Sequence, residues 1–269
     1  MRRGEVARGT KTALVTGASS GIGYCIARQL ADLGYDLIVV SENAGRLAAA
    51  AESIRRESPG VRVTEHPTDL ARTEAAEELY AWVHAEGLQV DVLVNNAGMF
   101  SFRDILSTPV AKIRSMLLLH DMTTSVACRL FAEDMARRGE GYILNMSSYS
   151  LWMPFPGLAL YSASKAYVRA FSMAFAKEVR ERGIKVTALC PAGVTTDLYG
   201  LSEPLKRLGL RIGVLISPES CARRGLKALW RGRRSSVPGW WNRLGIPFCL
   251  YMPMFVTRLL RKFTMKFQK

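Results

Sequence analysis

Apolar residues in this chain fall into two alternating patterns. Short β-rich runs, several of them apolar at nearly every position, lie near 12–16, 36–40, 61–65, 91–94, 142–146 and 185–189. Between them, longer stretches near 21–33, 45–57, 73–86, 110–138 and 161–182 carry helical patterning. The dense runs suit strands covered on both faces, because a sheet with one wet face alternates apolar and polar positions. Strict alternation of strand and helix predicts a parallel, doubly wound sheet. Right-handed crossovers then give a Rossmann-type topology. No internal repeat, low-complexity tract or strong linker interrupts the pattern. The expectation is one domain, with a core over 1–197 and a lid and C-terminal extension over 198–269. That extension holds another helical pattern at 218–231 and a Pro/Trp-rich stretch at 238–254.

Composition narrows the class. The 269 residues are 49% hydrophobic and 22% charged, which excludes global disorder and allows a sizeable core. No apolar run reaches about 18 residues, so no transmembrane helix is expected. The apolar stretch after the basic start, Ala13–Val15, is too short for a signal-peptide core. Cys25, Cys128, Cys190, Cys221 and Cys249 are scattered without a CxxC pair, as reduced thiols in the cytoplasm would be. His66, His84 and His120 show no ligand spacing, so no metal is implied. Charge is uneven. Residues 1–200 hold 22 Lys/Arg and 21 Asp/Glu, whereas 201–269 hold 15 Lys/Arg and only Glu203 and Glu219. A basic C-terminal quarter calls for an anionic partner.

The first strand runs into Thr16-Gly17-Ala18-Ser19-Ser20-Gly21-Ile22-Gly23. Glycines between a strand and a helix let the backbone turn tightly and approach a pyrophosphate, which then rests on the helix N-terminus. The same glycines elsewhere only end strands; at the first turn of a βαβ pattern they point to a nucleotide. A second constellation follows the fifth strand. Ser148 comes first, Tyr161 opens a helix 13 residues later, and Lys165 shares its face one turn on. A nearby ammonium favours the phenolate, so such a tyrosine can give or take a proton while hydride moves to or from a nicotinamide ring. Ser148 would donate to the reacting oxygen. Tyr-x3-Lys also occurs by chance on helix surfaces, and its position after the strand is what gives it weight.

Together these segments resemble the short-chain dehydrogenase/reductase family. The matching residues are Thr16–Gly23, Asp69 within Thr68-Asp69-Leu70, Asn95-Asn96-Ala97-Gly98, Ser148, Tyr161 to Lys165 (YSASK), and Pro191 to Thr196 (PAGVTT), in family order over residues 10–200. The resemblance implies a sheet of about seven parallel strands and a nicotinamide cofactor. It implies Tyr161 as general acid/base, Lys165 on the nicotinamide ribose, and Ser148 on the substrate oxygen. Asp69 and Leu70 would lie by the adenine. Asn95, Ala97 and Gly98 would support the sheet and line the cofactor site. Pro191, Gly193, Val194 and Thr196 would border the nicotinamide. A homodimer or homotetramer built on the fourth and fifth helices is also implied.

Three positions depart from the family pattern. His120 falls where the family carries a relay Asn in the fourth helix; it either keeps the relay through a ring nitrogen or is a buried histidine bonded to backbone. Ala192 replaces a common glycine, which is tolerated at negative φ. The second strand ends Val40-Ser41-Glu42-Asn43, with neither the acid at Ser41 that selects NAD nor a base at Glu42 that would clamp the 2′-phosphate of NADP. Glu42 would repel a phosphate, which favours NAD(H) over NADP(H), although Arg46 stands close in sequence.

Residues 149–158 and 198–216 flank the expected reaction centre and are rich in apolar side chains. Trp152, Phe155, Leu198 and Tyr199 are the candidate substrate-pocket residues, suited to a large hydrophobic substrate. In 254–269, Phe255, Leu259, Phe263 and Phe267 recur every four residues among Arg258, Arg261, Lys262 and Lys266. That is a basic amphipathic helix, which either lies peripherally on the inner face of a membrane or packs its phenylalanines on protein. Nucleic acid is not expected, since no recognition module precedes it. The resulting expectation is an oxidoreductase interconverting a secondary alcohol and a ketone. Family members with such an extension resemble reductases of hydroxysteroids or long-chain 3-oxoacyl groups. The alternatives are an NAD(P)-sensing binding module docked on membranes by its tail, or a membrane-anchored member of a lipid-synthesis assembly.

Overall fold

The computed structural model describes residues 11–153, 155–195, 207, 215–251, 256 and 257. Strands and helices alternate as the pattern requires: β1 (Thr12–Thr16), α1 (Gly21–Asp32), β2 (Asp36–Ser41), α2 (Ala44–Glu57), β3 (Val63–Pro67), α3 (Ala75–Ala85) and β4 (Val92–Asn95). Then come α4 (Val110–Leu117), α5 (Thr123–Arg138), β5 (Gly141–Met146), α6 (Ala159–Glu178) and β6 (Ile184–Leu189). Short strands β7 (Gly193–Val194), β8 (Leu215–Ile216) and β9 (Ser235–Ser236) and helices α7 (Pro218–Trp230) and α8 (Trp240–Leu250) complete it. Seven strands form one sheet in the order β3-β2-β1-β4-β5-β6-β9, every pair parallel. β7 and β8 pair separately.

The interiors of the central strands are fully buried: Ala13, Leu14 and Val15 on β1 and Leu93 and Val94 on β4 have no exposure. Helices cover both faces. Ile26, Leu30, Leu47, Ile54 and Leu226 close one side against β1 and β2. Leu79, Phe131, Met135 and Ala176 close the other against β4–β6. The other long strands fall within one residue of the pattern at each end, and two features depart further. β3 begins two residues later than expected, where Asp36 Oδ1 takes the Arg62 amide (2.9 Å) just before the strand. β9, a pair of serines, has no apolar signal to reveal it.

The expected helix over 110–138 is one rod with a π turn, Leu118–Met122, between α4 and α5. This one wide turn rotates α5 relative to α4 and drives His120 into the interior, at 1% exposure. No described residue other than glycine has positive φ, so Ala192 sits without strain. The five cysteines are free. Among the described residues, no helix is long and apolar enough to cross a membrane. The tail at 254–269 lies outside the described residues, apart from 256 and 257.

Two left-handed glycines separate conformational from steric cost. Gly34 (φ +82°) has open space where a Cβ would go, so Gly34→Ala should cost only about 1 kcal/mol. At Gly183 (φ +77°) a Cβ would meet the Gly139 carbonyl oxygen at 1.8 Å, so Gly183→Ala should cost about 3 kcal/mol or more. Urea denaturation of both variants checks the difference; equal losses would contradict the packing at Gly183.

Candidate active site

A cleft of about 540 Å³ runs across the carboxyl ends of β1, β2, β4, β5 and β6. One end is formed by the glycine-rich turn after β1. Thr16 Oγ1 accepts from the Asn96 and Ala97 amides (3.0 and 2.9 Å), locking the end of β1 to the end of β4. Asn96 Nδ2 donates to the Thr16 and Gly17 carbonyls (3.0 and 3.2 Å). Gly17 and Gly21 adopt positive φ, and a Cβ on Gly23 would stand 2.2 Å from the Gly17 carbonyl oxygen. So the turn closes only with glycine. Ser20 leaves the N-terminus of α1 without a side-chain cap, and the first turn holds no acid. Its amides are therefore open to an anion, as a pyrophosphate needs.

Beyond this turn, Ser19 Oγ and Ser41 Oγ lie 2.9 Å apart, with Glu42, Asp69 and Leu70 bordering the cleft. Asp69 Oδ1 accepts from the Ala71 amide (2.8 Å), which holds the loop after β3. Among the described lining residues, Lys165 is the only lysine or arginine, and it stands at the opposite end.

That opposite end holds Ser148, Tyr161 and Lys165. Ser148 follows β5, is buried, and accepts from the Ser150 amide (3.1 Å). Tyr161 and Lys165 lie in the first turns of α6, 6% and 4% exposed. Lys165 Nζ sits 5.8 Å from the centre of the Tyr161 ring and donates to the Met146 carbonyl (3.0 Å). Ser147 Oγ donates to the Lys165 carbonyl (2.7 Å), so α6 is stapled to the end of β5. Burial pulls the Lys165 ammonium down to about 8, partly offset by Asp121 and Cys190. Asp121 is itself raised to about 6 by burial.

His120 is fully committed. Its Nε2 accepts from the Met99 amide (3.0 Å), and its Nδ1 lies 2.9 Å from Ser164 Oγ, which donates to the Tyr161 carbonyl (2.9 Å). With Nε2 accepting, the neutral ring carries its proton on Nδ1 and donates it to Ser164. Burial, then the Lys165 charge, push its pKa down to about 2. No ring nitrogen is left for a water relay, so of the two readings the geometry matches the backbone-bonded histidine. Outside the cleft, His66 stacks on Trp82 and His84 bonds Asp134 (2.8 Å).

Most expected residues meet here. Gly17, Ser19, Ser20, Gly21, Ile22, Ser41, Glu42, Asp69, Leu70, Ala97, Gly98, Ser148, Tyr161, Lys165, Pro191 and Val194 all line the cleft. Thr16, Gly23, Asn95 and Gly193 are not among the lining residues. Asn95 donates to Asn145 Oδ1 (2.8 Å) inside the sheet, in the sheet-supporting place expected of it, and Asn145 donates to Ser172 Oγ on α6 (2.8 Å). Its neighbour Asn96, named in the same motif without a role of its own, is the residue of the pair that lines the cleft and holds the turn. Phe155 packs with Phe100, Phe102, Met116 and Leu158 around Tyr161. The aromatic run directly after Gly98 was the overlooked signal for that wall. Trp152 packs instead on Tyr149, with Arg169 over its ring at 5.2 Å. Thr196, Leu198 and Tyr199 lie outside the described residues.

Comparison with known proteins agrees with this architecture. A family model described as short chain dehydrogenase matches residues 11–204. A 17-beta-hydroxysteroid dehydrogenase type 3 of Mus musculus is 37% identical over 193 residues, covering 69% of this chain and 61% of the relative. A very-long-chain 3-oxoacyl-CoA reductase of Ajellomyces capsulatus is 29% identical over 236 residues, covering 85% and 68%. The chain thus spans roughly three fifths to two thirds of these relatives. A short-chain dehydrogenase from Sphingobium yanoikuyae, solved with NADPH, superposes with a TM-score of 0.76 at 28% identity, covering 87% of this chain and 92% of that one.

The neutral His120 has a thermodynamic signature. Its folded pKa lies far below the ordinary 6.5, so below pH 6.5 only the unfolded chain takes up the proton, and stability falls with pH. His120→Asn lacks this penalty. Wild type should therefore lose about 2 kcal/mol relative to the variant between pH 7.5 and pH 5, read from urea titrations. An unchanged difference would mean that the buried ring accepts a proton.

Proposed function

This chain belongs to the short-chain dehydrogenase family, and from that premise we propose that it is a nicotinamide-dependent oxidoreductase interconverting a secondary alcohol and a ketone on a hydrophobic substrate. The observation that carries the proposal is the buried Tyr161–Lys165 pair at the end of the cleft opposite the glycine-rich turn. When bound, a nicotinamide would supply the hydride in reduction and accept it in oxidation. The turn at Gly17–Gly23 and the open amides of α1 would hold its pyrophosphate, and Lys165 its nicotinamide ribose. Tyr161 Oη gives the proton to the carbonyl oxygen in reduction and takes it back in oxidation. The adjacent ammonium favours the phenolate left behind. Ser148 Oγ donates to the same oxygen and steadies its developing charge. His120, bonded to both the Met99 amide and Ser164, acts as a positioning residue that ties the loop after β4 to the first turn of α6.

The substrate we propose is a hydroxysteroid or a long-chain 3-oxoacyl lipid. Met99, Phe100, Phe102, Phe155 and Leu158 set an apolar wall beside Tyr161, and the names of the two relatives fall in these classes. We propose NAD(H) as the preferred coenzyme, because Glu42 borders the cleft beside Ser41 and would repel a 2′-phosphate. A homodimer or homotetramer fits the open Leu117, Met122 and Tyr167 on the helices that carry the site. Peripheral membrane contact through 254–269 belongs to the same reading.

Tyr161→Phe removes the transferable proton. Turnover should fall roughly 100-fold or more, with cofactor affinity nearly unchanged. Near-normal turnover would refute the role given to Tyr161. Glu42→Arg should raise the ratio of NADP to NAD affinity by about tenfold. A ratio that does not move would make Glu42 a solvent-facing charge and remove the argument for NAD(H).

A further inference from the structure

The outer face of α8 is open and almost wholly apolar. Its inner face packs on the segment that follows Ser148. Cys249 Sγ lies 3.6 Å from Tyr149 Oη, and a Cβ on Gly245 would stand 3.0 Å from that hydroxyl. Ile246 joins the same cluster. On the other side, Trp241, Leu244 and Phe248 recur at i, i+3 and i+7, at 61%, 64% and 68% exposure, and Tyr251 follows at 83%. Of the twelve large hydrophobic side chains left exposed in the described residues, five fall within positions 241–251. Such a concentration marks a contact surface rather than ordinary scatter.

Charge selects the occupant. From Ser220 to Lys269 the chain holds twelve Lys/Arg and no Asp or Glu. Arg243 is exposed on α8 itself, and Arg231, Arg233 and Arg234 are exposed just before it. A second copy seated on this face would bring two strongly cationic regions together, which opposes association. An anionic lipid surface satisfies both features, taking the apolar strip at the headgroup boundary and the basic residues at the phosphates.

We propose that α8 docks on an anionic lipid surface through Trp241, Leu244 and Phe248. This surface is separate from the tail at 254–269 and lies next to the reaction centre. Docking would hold the segment after Ser148 against the lipid phase, where a hydrophobic ketone partitions; that consequence rests on the catalytic reading above, while lipid binding does not.

The test is co-sedimentation of the full chain with vesicles of phosphatidylcholine alone or mixed with phosphatidylserine. Wild type is compared with two triple variants. One carries Trp241→Ser, Leu244→Ser and Phe248→Ser. The other carries Phe255→Ser, Phe263→Ser and Phe267→Ser in the tail. Cofactor titration confirms that each is folded. Wild type should pellet with the anionic vesicles, and the α8 variant should partition roughly tenfold less or weaker still, with turnover of a soluble ketone unchanged. Two results would overturn the proposal. One is an α8 variant that pellets like wild type. The other is an α8 variant that dissociates an oligomer in sedimentation equilibrium while vesicle binding stays the same. Vesicle binding without ketone turnover in wild type would contradict the catalytic reading alone.

Discussion

Lys165 is only 4% exposed as a residue, and a charged side chain so buried is tolerable only with close polar partners. Lys165 Nζ donates a hydrogen bond to the Met146 carbonyl, and Ser147 Oγ donates to the Lys165 carbonyl, which ties α6 to the end of β5. Beneath these contacts, Asn95, Asn145 and Ser172 form a buried hydrogen-bonded chain from β4 through β5 to α6. The β4–β5–α6 junction is therefore held by polar bonds as well as by apolar packing. Tyr161 takes its position from that junction, and the cleft takes its shape from Tyr161. Removing one partner from such a network leaves a buried polar group unpaired, which is costlier than losing an exposed bond.

The π turn at Leu118–Met122 brings the opposite wall into register. It places His120 where the ring reaches both the Met99 amide and Ser164, so the loop after β4 and the start of α6 share one clamp. A Cβ on Gly98 would stand 3.0 Å from His120 Nε2, so the loop backbone runs directly against the ring. Burial keeps this histidine neutral, and a neutral ring beside Lys165 adds no repulsion to an ammonium that burial already disfavours.

Much of this was legible in the residues. Short β-rich runs alternating with helical stretches marked the six long strands, and the densest apolar runs fall on central strands such as β1 and β4, which are buried on both faces. The glycine-rich turn and the Ser148, Tyr161 and Lys165 spacing marked both ends of the cleft. What stayed hidden depends on contacts far apart in the chain. The choice between the two readings of His120 turns on a bond to Met99, and periodicity cannot show a wide helical turn. Asn95 and Asn96 are the same residue type at adjacent positions, yet strand alternation sends one into the sheet and the other to the turn. β9 is two serines held by pairing with β6. The exposed face of α8 was obscured because its proline and tryptophans read as an irregular stretch.

The central claim is that a buried tyrosine and lysine serve a nicotinamide site open to a lipid-like ketone. Its most direct test is nicotinamide absorbance of the wild-type protein with NADH or NADPH. The panel holds steroid ketones and long-chain 3-oxoacyl thioesters. The account predicts that the reduced coenzyme is consumed with at least one of these two classes and spared with small polar ketones. Tight binding of coenzyme with no consumption across the panel, or turnover confined to small polar ketones, would contradict it.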